Sequence, residues 1–162
     1  MMDYVRAAVL FVLVASLCAA ADIAGQKAAP SAGPQIVFVC EHGAAKSVIA
    51  TAYFNKLAAE RGLPDRATYR GANPQAELSV SALKGLRDDG VAVPSAKPSP
   101  ITPADVTTAT HIFAIGCSLP AHAAASGKAD SWDDVPDDQG YAAQRDAIKR
   151  HVERLLDQLQ KR

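Results

Sequence analysis

A β-branched run that ends in a cysteine and passes through a short glycine-containing loop into a helix constrains this 162-residue chain more than any other feature. Ile36, Val37, Phe38 and Val39 have the near-continuous apolar character of a buried strand, and Cys40 closes it. Glu41, His42, Gly43, Ala44, Ala45 and Lys46 follow as a loop. Ser47 then opens a helix in which Ile49, Tyr53 and Leu57 recur at helical spacing until Gly62 and Pro64 stop it. Strand, loop and helix in this order make half of a parallel β-α unit, which commits the chain to a parallel sheet covered by helices.

The rest of the sequence repeats the alternation. Ala67–Gly71 reads as a short second strand, and Leu78–Asp89, with Leu78, Ala82, Leu83 and Leu86 apolar, as a second helix ending at Gly90. Val91–Pro103 contains Pro94, Pro98, Pro100 and Pro103 and reads as an extended connection, with Thr102 capping a short helix that starts at Pro103. His111–Gly116 has the apolar pattern of a buried parallel strand. The last helix is expected over Gln139–Lys161, with Ile148, Val152, Leu155 and Leu159 on one face and Arg145, Lys149, Arg150 and Arg154 largely off it. The expected fold is α/β: one domain, a small parallel four-stranded sheet with helices on both faces. Ligands of such sheets bind beyond the carboxyl ends of the strands, where Cys40 and Cys117 both fall.

The loop after Cys40 has the makings of an anion cradle. Its backbone N–H groups and those of the first helical turn would converge on the cysteine, and with the Lys46 charge they favour a thiolate there. Ser47 reads as the helix N-cap, and its hydroxyl can also donate to the sulfur. Two alternatives stay open at this level. Cys40 fits a buried structural cysteine at the end of a core strand as well, and His42 either adds positive charge beside an anion or, like Glu41, points to solvent.

The two ends of the chain read differently. Arg6, the apolar run from Ala7 to Leu17 and the small residues Cys18, Ala19, Ala20 and Ala21 predict an export signal over residues 1–21. Its apolar run is shorter than the roughly 20 residues of a membrane span, and the bulky Leu17 argues against a lipid anchor at Cys18. Residues 22–34, rich in Ala, Gly, Ser and Pro, form a spacer, and residues 35–162 are the domain. An exported chain, periplasmic or secreted, keeps Cys40 and Cys117 in an oxidising compartment, so a disulfide between them has to be considered. Formal net charge is +0, and nothing in it argues for a nucleic-acid partner. His111, His122 and His151 have no mutual spacing that suggests a metal site.

The series Cys40, five residues, Lys46, Ser47 resembles the Cys-x5-Arg-Ser/Thr signature of the low-molecular-weight protein tyrosine phosphatases and of the arsenate reductases that share their fold. The resemblance covers the whole mature chain and departs at one position: Lys46 stands where the family has arginine. In the family that arginine grips two oxygens of the transferring phosphoryl group with a planar fork, a geometry that lysine does not reproduce. One lost charged hydrogen bond of about 1.5–3 kcal/mol slows the chemical step by about 10- to 100-fold if it forms only in the transition state. Gly43 stands where the family often holds an asparagine at positive φ, a conformation glycine adopts without steric cost.

The resemblance further implies a late aspartate that protonates the leaving oxygen and later activates water. Trp132-Asp133-Asp134-Val135-Pro136-Asp137-Asp138 matches that loop loosely, with Asp137 preferred over Asp134; each is also readable as part of an acidic surface loop, with Asp138 capping the last helix. Cys117 occupies the place of the second cysteine of the redox arsenate reductases, but Ser118, Leu119 and Pro120 are followed by no third. The reading is a phosphatase-like protein acting on phosphate monoesters through a cysteinyl phosphate at Cys40, with reduced activity and without metal or other cofactor. Its partners would be phosphate, a phosphorylated small molecule or a phosphopeptide. Its rivals are a non-catalytic oxyanion-binding or phosphopeptide-binding module and an arsenate-reducing redox protein using Cys40 and Cys117.

Overall fold

The structure, a computed structural model, describes residues 35–162, so the expected export signal and spacer lie outside the described residues. Strand β1 (Gln35–Cys40) runs through the middle of the sheet between β2 (Arg66–Gly71) and β3 (Ala109–Ala114), and β4 (Ala129–Ser131) pairs with β3 on the far side. All pairings are parallel, giving the four-stranded sheet in the order β2-β1-β3-β4. The expected α/β architecture is therefore present.

The alternating side chains of β1 explain why both faces are covered. Ile36, Phe38 and Cys40 point into one apolar cluster, which α1 (Lys46–Glu60), α2 (Val80–Asp88) and α5 (Gly140–Leu159) complete. Val37 and Val39 point into a second, smaller cluster with Ile101, Ala109, Ile112 and Ala123, beneath α3 (Pro103–Thr108) and α4 (Ala121–Ala124). On α5, Ile148, Val152, Leu155 and Leu159 are buried as their spacing predicts, joined by Leu156. Among the described residues no helix is long and apolar enough to cross a membrane.

Several boundaries differ from expectation, each for a local reason. The N-cap of α1 is Ala45, so Ser47 lies inside the first turn and is not the cap. Helix α2 starts two residues after Leu78, because the Ser79 side chain accepts from the Ala82 amide and sets the cap there. Asp138 caps nothing: the N-cap of α5 is Gln139, with no side-chain bond. Thr102 does cap α3, in a reciprocal capping box with Asp105.

Candidate active site

The carboxyl end of β1 lies between the segments that follow β2 and β3, and this is where the cysteine loop sits. Cys40, 3% exposed, faces the Ser47 hydroxyl at 3.1 Å between Sγ and Oγ. The helix begins two residues earlier than a capping role for Ser47 would allow, which places that hydroxyl in the first turn beside the sulfur.

The loop carbonyls are tied outward. The amides of Ala72, Asn73, Gln75 and Ser79 donate to the carbonyls of Cys40, Glu41, His42 and Ala44 at 3.0, 2.7, 3.2 and 2.9 Å. A peptide N–H points away from its own C=O, so this lacing turns loop amides towards the thiol. Among the described residues, no backbone carbonyl accepts from the amides of Glu41 to Ala45. Together with the unpaired N–H groups of the first turn of α1 they form a concave set of donors.

Gly43 has φ +61°, and a Cβ there would lie 2.7 Å from the Gly71 nitrogen, so both backbone conformation and close approach require glycine. Gly43 and Ala44 are buried, Ala45 is half-buried, and the side chains of Glu41 and His42 are exposed, with His42 Nδ1 3.4 Å from the Asn73 carbonyl. Of the two readings of His42, the solvent-facing one matches this placement.

Lys46 is 6% exposed, and its ammonium forms an ion pair with Asp137, whose side chain is 77% exposed at the rim. The ammonium lies against the backbone of Gly116, where an added Cβ would be only 2.6 Å from Nζ. The sequence reading placed Gly116 at the end of the strand His111–Gly116; β3 ends at Ala114, and Gly116, at φ +57°, lies just beyond it. Asp134 is held elsewhere. Its Oδ1 accepts from His151 Nε2 at 2.5 Å, and His151 stacks on Trp132 with ring centroids 4.6 Å apart. The His151 bond keeps the Asp134 carboxyl below the usual range. The structure thus pairs Cys40 with Ser47 and Lys46 with Asp137, and ties Asp134 to His151 of α5.

Cys117 is half-buried and, like Cys40, a free thiol. Its Sγ lies 3.6 Å from the Val39 carbonyl, and burial, followed by the neighbouring Cys40, pushes its thiol up to about 11. It is therefore protonated at neutral pH and a poor attacking group. Among the described residues no group of three His, Cys, Asp or Glu side chains is arranged to hold a metal ion.

A cysteine at the end of a central parallel strand, a loop with unpaired amides and a cation–carboxylate pair at the start of the following helix are groups that can hold an oxyanion and supply a nucleophile and an acid. The same fold occurs in several solved structures. YfkJ from Bacillus subtilis is similar with 21% identity over 80% of this chain and 96% of that chain, at a TM-score of 0.68. The thioredoxin-dependent arsenate reductase of Corynebacterium glutamicum has 24% identity over 84% of this chain and 65% of that chain, at 0.67. A low molecular weight phosphotyrosine phosphatase from Vibrio cholerae has 17% identity over 79% and 97%, also at 0.67. No curated protein matches the chain. The sequence model of the low molecular weight phosphotyrosine protein phosphatases matches residues 35–162, the entire described domain, and the chain belongs to that family.

Proposed function

We propose that this protein hydrolyses phosphate monoesters through a cysteinyl-phosphate intermediate on Cys40. The observation that carries the reading is the pairing of Lys46 with Asp137 in the helix turn that also brings Ser47 to Cys40. A phosphoryl group in the cradle would receive the loop amides and the Lys46 ammonium on its oxygens. The Cys40 thiolate, stabilised by the Ser47 hydroxyl, attacks phosphorus; the S–P bond forms as the bond to the leaving oxygen breaks, and Asp137 in its acid form gives that oxygen its proton. Water then attacks the phosphorus, Asp137 takes a proton from it, the S–P bond breaks, and inorganic phosphate leaves with the thiolate restored.

In the free protein Asp137 neutralises Lys46. An incoming phosphate competes for that ammonium, which releases the carboxyl at the side where the leaving group emerges. Lysine in place of a forked guanidinium supports lower turnover than an arginine would give. The substrate class is a phosphorylated small molecule or a phosphopeptide. The apolar run Ala7–Leu17 and the small residues after it support export, so the site of action is periplasmic or secreted.

The test is phosphate release from p-nitrophenyl phosphate by the purified protein, with Cys40→Ser as control and acid-quench mass spectrometry for the phosphocysteine. Cys40-dependent release with a trapped adduct is expected. Release no greater than that of the serine variant would instead favour a binding module.

A further inference from the structure

Helix α2 touches the cysteine loop at its start and α5 at its end. At its start the Ser79 amide donates to Ala44 of the cysteine loop at 2.9 Å, and its last turn carries Gly85 and the cap residue Asp89. Gly85 is buried inside the helix, a position where glycine weakens helical structure relative to alanine. The neighbour that requires it is Tyr141: a Cβ on Gly85 would enter the Tyr141 ring. The Tyr141 hydroxyl donates to Asp89 Oδ2 at 2.7 Å, the Tyr53 hydroxyl donates to the same oxygen at 2.6 Å, and Arg145 Nη1 reaches Oδ1 at 3.2 Å. Donors from α1 and α5 thus converge on the carboxylate that ends α2.

Tyr141 is the second residue of α5, four residues after Asp137. One turn further, Gln144 Nε2 donates to the Asp137 carbonyl at 3.1 Å. The helix is stiff, so the seat of Tyr141 on α2 determines where α5 begins and where the preceding loop delivers Asp137. We propose that Tyr141, seated on the bare Cα of Gly85 and bonded to Asp89, is the positioning residue that holds Asp137 ready to protonate the leaving oxygen. This inference rests on the phosphatase reading above. It ties the acid to the same helix that laces the cysteine loop, so the two halves of the site share one frame.

The experiment compares kcat/KM for phenyl phosphate, whose leaving oxygen needs a proton, with that for 2,4-dinitrophenyl phosphate, whose phenolate leaves without one, using the full chain. Asp137→Asn sets the size of the split. Tyr141→Ala removes the ring without adding an atom, and Gly85→Ala unseats it, so the two disturb the contact by opposite means and one remains informative should the other fail to fold. Each is expected to lower kcat/KM for phenyl phosphate about tenfold or more while changing the dinitrophenyl ester by less than about threefold. Combined with Asp137→Asn, neither should add a further loss. Equal losses on both esters, or none on either, in a folded variant would overturn the positioning role and leave Tyr141 as packing. A parent protein that hydrolyses neither ester would overturn the phosphatase reading itself, and the inference with it.

Discussion

A buried ammonium is costly unless a counter-charge meets it, and Lys46 meets Asp137 in a space that Gly116 leaves open. The lysine, the glycine and the aspartate therefore depend on one another. Replacing Lys46 by arginine puts two parallel donors where a single point charge stands, matching the geometry of a phosphoryl group in the transition state better than in the ground state. Lys46→Arg is expected to raise kcat/KM for an aryl phosphate by about tenfold, the lower end of what one charged hydrogen bond contributes. An arginine variant no faster than its parent would mean that the cradle is not built for phosphoryl transfer, and the oxyanion-binding reading would then lead.

At the scale of elements, β2 is an edge strand whose outward backbone groups need partners. Asn55 of α1 supplies them: its side-chain amide donates to the Ala67 carbonyl at 3.0 Å and accepts from the Ala67 amide at 2.8 Å. Further along, the Gly71 amide donates to Ser99 and the Gly71 carbonyl accepts from Ile101, which completes that edge with the proline-rich segment. This edge supports the cysteine loop, because Gly71 packs against Gly43. Asn55→Ala leaves the Ala67 groups unpaired and is expected to lower stability by about 1–3 kcal/mol. Urea unfolding measures this as a lower midpoint at unchanged slope; an unchanged midpoint would show that water satisfies the edge equally well.

Across the whole molecule, Asp89 links α1, α2 and α5. The Tyr53 and then the Tyr141 hydrogen bonds hold its carboxyl below the usual range, while burial and then the Asp89 bond push Tyr53 up to about 12. Because the folded value lies below the unfolded one, the stabilisation is complete above about pH 4 and fades as pH falls through the folded value. Asp134, through His151, acts in the same direction. Asp89→Asn is expected to be less stable than its parent at neutral pH and to lose less on acidification. Urea midpoints measured from neutral pH down to about pH 3 check this, and parallel curves for the two proteins would break the link.

What the sequence determined by itself was the chemistry carried by neighbours along the chain. Cys40, Gly43, Lys46 and Ser47 are legible together because they are neighbours along one strand end, one loop and one helical turn. The β-α alternation was legible for the same reason: periodicity reports which face of each element is buried. The weak fourth strand, three exposed residues, carries no such pattern. Only the tertiary structure decided which aspartate meets Lys46. Asp134 and Asp137 sit in the same loop, where no period distinguishes them, and the choice falls to His151 on α5 and Lys46 on α1, which capture one each. The glycines at 85 and 116 likewise answer to neighbours remote in sequence: Tyr141 and Lys46 occupy the space that their side chains would fill. Volume shared between distant segments leaves no local pattern, so packing alone reveals it.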